Sequence, residues 1–80
     1  MARLVFLGRL EDVAGVPHMD CPLAEPTALA DLLLMLPPQL AEALQGPRVR
    51  IAHNGVVTEA AGLVVGDGDE LAFLPPVSGG

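Results

Sequence analysis

Gly66-Asp67-Gly68-Asp69-Glu70-Leu71-Ala72-Phe73-Leu74-Pro75-Pro76 is the stretch from which the fold can be worked out. The alternating glycines and aspartates form a turn cluster, and the run Leu71 to Leu74 that follows reads as a strand. Every position of that strand is apolar, so both of its faces need cover, as expected of a strand in the middle of a sheet. Pro75 and Pro76 have no amide hydrogen to give to a ladder, so the strand ends there. One other segment has the same character. From Ala2 to Gly8 the chain is β-branched and aliphatic around Phe6, with Leu4 and Phe6 on one face and Val5 and Leu7 on the other. Two such strands in so short a chain are expected side by side at the sheet centre. Leu4, Phe6, Leu71 and Phe73 would then face a helical layer, and Val5, Leu7, Ala72 and Leu74 would face outward.

Working outward, Arg9 to Ala14 spaces Leu10 and Val13 three apart before Gly15, which suits a short helical turn, and a second strand is expected from Val16 to Cys21. Thr27, directly after Pro26, is the N-cap candidate of the principal helix. Leu29, Leu32, Leu33 and Leu36 follow at the i, i+3, i+4, i+7 spacing of a buried stripe. Pro37 and Pro38 end that helix, and Pro38 is placed to open a second short one through Leu44, stopping at Gly46. Val49 and Ile51 alternate with Arg48, Arg50 and Ala52; Asn54-Gly55 then turns the chain back into Val56 and Val57. The order is ββα, a short helix, and βββ. Two packed layers exhaust so short a chain, so the helix must lie across one face of a single sheet. The economical solution is an α+β, β-grasp (ubiquitin-like) fold. It has a mixed five-stranded sheet, one main helix packed on one face, and short extra helices. Residues 1–74 form the domain and residues 75–80 an extended tail.

Composition narrows the function. At 80 residues with 51% hydrophobic and 18% charged side chains, the chain is a single packed domain rather than a disordered one. Phe6 and Phe73 are its only aromatics, so the core is aliphatic. The net charge of -6, ten acids against Arg3, Arg9, Arg48 and Arg50, argues against a nucleic-acid backbone as partner and favours a basic protein surface. There is no lysine, so conjugates cannot be built through lysines of this chain. The single cysteine, Cys21, cannot close an internal disulfide, and with no charged-then-apolar leader this gives the expectation of a cytoplasmic protein. The longest apolar run, Leu32 to Leu36, falls far short of the roughly 20 residues of a membrane span.

No nucleophile or metal constellation stands out. His18 and His53 belong to different strands, Cys21 has no partner cysteine, and Gly66 to Asp69 has too few oxygen ligands behind it for a calcium loop. Ser78 lacks the Gly-x-Ser-x-Gly context of an activated serine. The tail carries the chemistry. Pro75 and Pro76 hold the chain extended, and at about 3 Å per residue the segment 75–80 would reach on the order of 18 Å, enough to enter another protein's active site. Gly79 and Gly80 remove every side chain from the tip, so a narrow tunnel can close on the backbone. A terminal carboxylate, with a pKa of roughly 3.5, is an anion at neutral pH and a poor electrophile. It must be activated before it can react.

The run Asp67-Gly68-Asp69-Glu70, an apolar strand, and Pro75-Pro76-Val77-Ser78-Gly79-Gly80 resembles the terminal signature of the molybdopterin synthase small subunit, a ubiquitin-like sulfur carrier. The segment Leu4 to Gly15 and the Asn54-Gly55 turn are also similar to that family. One departure is Glu11-Asp12, where the family's short helix usually has Arg-Glu. The resemblance implies that the Gly80 carboxylate is adenylated with ATP by an enzyme similar to the ubiquitin-activating type and converted to a thiocarboxylate, with Gly79 beside it. It also implies insertion into the synthase large subunit, in a heterotetramer, and donation of sulfur to a pterin precursor on the route to molybdenum cofactor. Leu7, Val57, Leu74, Pro75, Pro76, Val77 and Ser78 would contact the partner. No cofactor would be bound tightly and no metal held. The chain would not be an enzyme alone, since the catalytic side chains would lie on the large subunit. Other ubiquitin-like carriers for thiamine or tRNA thiolation, a protein modifier, and a non-covalent β-grasp interaction module are the alternatives.

Overall fold

The computed structural model describes residues 1–76. In chain order its elements are β1 (Ala2–Phe6), α1 (Arg9–Ala14), β2 (His18–Cys21), β3 (Thr27–Ala28), α2 (Leu29–Leu33), α3 (Pro38–Leu44), β4 (Arg50–His53), β5 (Val56–Thr58), β6 (Val64–Val65) and β7 (Glu70–Leu74). The strands apolar on both faces are at the centre, as the sequence requires. The main sheet runs β2-β1-β7-β4-β5, with β1 and β7 parallel and the other neighbours antiparallel. It is the expected mixed five-stranded β-grasp sheet.

Register fixes which side chains meet. Leu4 lies opposite Leu71, and Phe6 opposite Phe73, whose ring stacks on Phe6 with centroids 5.9 Å apart. These four, with Ala2 and Ile51, are buried beneath Leu10, Leu29, Leu32, Leu33, Leu40 and Leu44 of the three helices. The alternate residues Val5, Ala72 and Leu74 are only half-buried on the opposite face, which carries no helix. The β4–β5 hairpin turns on Asn54 at φ 51° and Gly55 at φ 85°, the left-handed pair that matches strand twist.

The principal helix is shorter than its leucine stripe predicts. Thr27 does not cap it: Thr27 and Ala28 are extended and pair with Val65 and Val64, and the Leu29 amide donates to the Leu63 carbonyl at 2.9 Å. Ala28 is the N-cap residue, while the Thr27 hydroxyl bonds the Glu25 carbonyl. Strand pairing has taken the residues that the cap pattern assigned to the helix. Beyond Leu33 the bonds tighten to i→i+3, as in Met35 to the Leu32 carbonyl at 3.0 Å, because residues preceding proline avoid the α conformation. Leu36 nevertheless stays buried, so the stripe identifies the packed face correctly and overstates the helix. The roof of the core is therefore shared between α2 and α3 instead of belonging to one main helix. The second strand is also shorter, beginning at His18 rather than Val16. The β3–β6 pair has no counterpart in the pattern reading.

Candidate functional site

The residues around the root of the tail meet where β7 ends. β7 is hydrogen-bonded on both sides, to β1 and to β4, and the parallel ladder continues one step past β1 with the Leu7 amide donating to the Phe73 carbonyl at 3.1 Å. In that register the next residue beside Pro75 is Gly8. Gly8 has φ 56° and ψ -137°, and a β-carbon there would stand 2.8 Å from Cγ of Pro75. The glycine both makes the backbone turn from β1 into α1 and leaves room for the proline ring. Sequence reading took Gly8 only as the end of a strand. The signal that would have found it is the parallel pairing itself, which sets the residue after the first strand against the first proline.

Pro75 and Pro76 separate two depressions in the surface. The larger, an open groove of about 710 Å³, has Arg48, Arg50, Val57, Glu59 and Leu74 among its lining residues. The smaller, of about 330 Å³, lies between α1 and α3, with Leu10, Val13, Ala43 and Val49 in its wall and Arg9 and Arg48 beside them.

The candidate contact residues fall on one side of the sheet. Val57 pairs with Ala52, and Ala52 with Ala72, which lies opposite Val5; the next row, by continuation of the ladder, holds Leu7, Leu74 and Arg50. Leu7 is 41% exposed and Val57 57% exposed, while Leu74 is half-buried. The structure thus brings Leu7, Val57 and Leu74 to the helix-free face and sets Pro75 and Pro76 at its edge. Val77, Ser78, Gly79 and Gly80, and with them the end expected to react, lie outside the described residues.

The acidic turn is at the far end of β7 and acts as a clasp. The Asp69 carboxylate accepts from the Gly66 amide at 2.8 Å and the Asn54 side-chain amide at 3.1 Å, and stands 2.9 Å from Nε2 of His53. The Gly66 amide, then His53 and Asn54, hold its pKa down to about 2. Asn54 in turn accepts from the Glu70 amide, the Asp69 carbonyl accepts from Arg3, and the terminal ammonium of Met1 pairs with Asp67. One turn therefore ties the hairpin, the start of β1 and the start of β7 together. His53 belongs to this clasp; His18 is exposed on β2, and Cys21 is buried. Among the described residues no group of three or more His, Cys, Asp or Glu side chains is placed to hold a metal ion, and no helix is long and apolar enough to cross a membrane.

A β-grasp sheet whose central strand runs out into a proline-rooted segment defines the ubiquitin-like class. The chain belongs to the ThiS family, which matches residues 4–80. This is a family of ubiquitin-like sulfur carriers and modifiers, whose members deliver a group rather than catalyse its transfer. Among solved structures the chain is similar to SAMP1 from Haloferax volcanii, at 26% identity and a TM-score of 0.79, covering 99% of this chain and 98% of that one. It is also similar to small archaeal modifier protein 1 from Methanosarcina acetivorans, at 25% identity and a TM-score of 0.68, covering 99% and 95%. A Pyrococcus furiosus protein provisionally assigned as molybdopterin converting factor, subunit 1, shares the fold at 24% identity and a TM-score of 0.73, covering 95% and 97%. Among curated proteins none matches the chain.

Proposed function

We propose that this protein is the sulfur-carrying small subunit of a molybdopterin synthase, with residues 1–74 as the carrier domain and residues 75–80 as the arm that delivers the Gly80 carboxylate. The observation that carries the reading is the path of the chain: a strand bonded on both sides leads through Pro75 and Pro76 directly into Val77-Ser78-Gly79-Gly80. Adenylation replaces a poor leaving group by AMP. Attack by a sulfide-level nucleophile on the acyl carbon then breaks the bond to AMP and leaves a thiocarboxylate, whose sulfur is nucleophilic enough to pass to a pterin precursor held by a large subunit. Leu7, Val57 and Leu74 supply the apolar contact with that subunit, and Gly79 lets its tunnel close on the arm. ATP is spent by the activating enzyme on Gly80, and the carrier itself retains no cofactor. The protein works in the cytoplasm.

The test is intact mass after incubation with the adenylating enzyme of the same source, ATP and a sulfur donor. The expected gain is one oxygen exchanged for sulfur, lost on deletion of Gly80; an unchanged mass refutes the carrier reading. The similarity to SAMP1 favours a second reading, attachment of the activated carboxylate to amines of other proteins. Higher-mass conjugates recovered with this chain at their branch points, dependent on Gly80, would establish it.

A further inference from the structure

The distribution of charge at the arm's root runs against that of the whole chain. The net charge is -6, yet three of the four arginines, Arg9, Arg48 and Arg50, line the two depressions beside Pro75 and Pro76, and among the described residues Glu59 is the only acid that does. All three are exposed, and among the described residues no carboxylate lies within ion-pair distance of them; the remaining arginine, Arg3, stands 3.8 Å from Asp20. Such a patch does not suit the general basic surface that the overall charge suggests.

We propose that the root of the arm is a recognition surface for an acidic segment of the protein that activates Gly80, its carboxylates facing Arg9, Arg48 and Arg50 and an apolar side chain entering the depression between α1 and α3. The inference rests on the carrier reading for the identity of the partner. Charge complementarity selects the occupant's sign, and the wall of Leu10, Val13, Ala43 and Val49 selects an aliphatic or aromatic anchor. The arginines are not placed to meet ATP. An arm extended into a partner puts Gly80 about 13 Å beyond Pro76, at roughly 3.3 Å per residue, so they meet the rim of the partner's site while the tip meets the nucleotide. Exposed charges of this kind act chiefly on the rate of encounter and are screened over about 10 Å at 0.1 M salt. The surface therefore steers the arm toward its tunnel.

Affinity for the adenylating enzyme of the same source, measured across a salt series, tests this. R48E should weaken binding about tenfold, R48E/R50E further and with a smaller salt dependence, while R3E, with the same change of net charge as R48E, should alter it less than about twofold. All three variants should still be converted to the thiocarboxylate at saturating enzyme. Equal effects of R3E and R48E would overturn the proposal, as would an unchanged R48E/R50E. Should the wild type bind no such enzyme, the carrier reading fails separately. Titrating the labelled protein with a short peptide of alternating Glu and Leu, against its Lys and Leu counterpart, then decides the surface. Amide shifts at Arg9, Val13, Val49 and Arg50 with the acidic peptide alone support it. Shifts elsewhere, or with neither peptide, overturn it.

Discussion

Replacing Gly8 by alanine should cost more stability than its exposed position just past the end of β1 suggests. Two separable penalties add. The first is conformational: φ 56° with ψ -137° lies outside even the left-handed region that other residues visit occasionally, a strain of about 1–3 kcal/mol for an L side chain. The second is steric, because the new β-carbon would sit 2.8 Å from Cγ of Pro75, where carbon atoms prefer about 3.5–4.0 Å. Relief requires shifting a ring seated beside the central strand, for about 1 kcal/mol or more. The sum is about 3 kcal/mol, a large share of the roughly 5–15 kcal/mol that holds a domain folded. It corresponds to a fall in Tm of roughly 12–24 °C for a domain of this size.

Urea titration followed by circular dichroism measures the loss, and a double-mutant cycle separates its parts. Pro75→Ala removes Cγ, so Gly8→Ala should cost about 1 kcal/mol less in that background, leaving the backbone strain. A loss below about 0.5 kcal/mol for Gly8→Ala would refute the reasoning. An unchanged cost beside Pro75→Ala would confine the penalty to the backbone and remove Gly8 from the seating of the arm.

The remaining predictions concern the clasp, the core and the open face. Asp69 has a pKa of about 2 in the folded chain against about 3.9 unfolded, so the unfolded state binds the proton first. Its contribution is complete above about pH 5 and is lost progressively as pH falls from there through 2; Asp69→Asn should flatten that limb of a urea-midpoint series, and an identical limb would count against the clasp. Leu32, fully buried in the short α2, should cost about 2–5 kcal/mol on replacement by alanine, read by thermal melting. Leu74→Glu should cost no more than about 1.5 kcal/mol, since the side chain is only partly buried, on the face that carries no helix, while clearly weakening the complex with a large subunit in a pull-down titration. A collapse of the fold would show Leu74 to be a packing residue.

The central strands were legible because their amino acids obey one constraint without competition: Leu4, Phe6, Leu71 and Phe73 need cover on one face, and Val5, Ala72 and Leu74 are apolar on the other. The Asn54-Gly55 turn was legible for a similar reason, since few residue pairs accept two left-handed conformations. The helix was misjudged where two local rules conflict. Thr27 after Pro26 looks like a cap, but Val64 and Val65, more than thirty positions away, offer a ladder that no window containing Thr27 reveals. The arm's tip could be read as chemistry from Gly79 and Gly80. Its root could not, because Gly8, Arg9, Arg48 and Pro75 come together only through the parallel β1–β7 pairing and the packing of α1 against α3.

That parallel pairing matters to a carrier. In the proposed role a partner that grips the arm pulls along β7, and a strand at the edge of a sheet would peel from its single neighbour one bond at a time. β7 cannot peel in this way: it is bonded to β1 on one side and β4 on the other, with Leu71 and Phe73 fully buried beneath. Displacing it would expose both phenylalanine rings and open both ladders together, so tension on the arm is borne by the cooperative core. The clasp around Asp69 secures the opposite end of the same strand, pinning Glu70 through Asn54. A stiff strand secured at its start also fixes the direction in which Pro75 and Pro76 leave the sheet. A partner that binds at this root, as proposed, meets a surface already fixed in place, and less entropy is lost on binding.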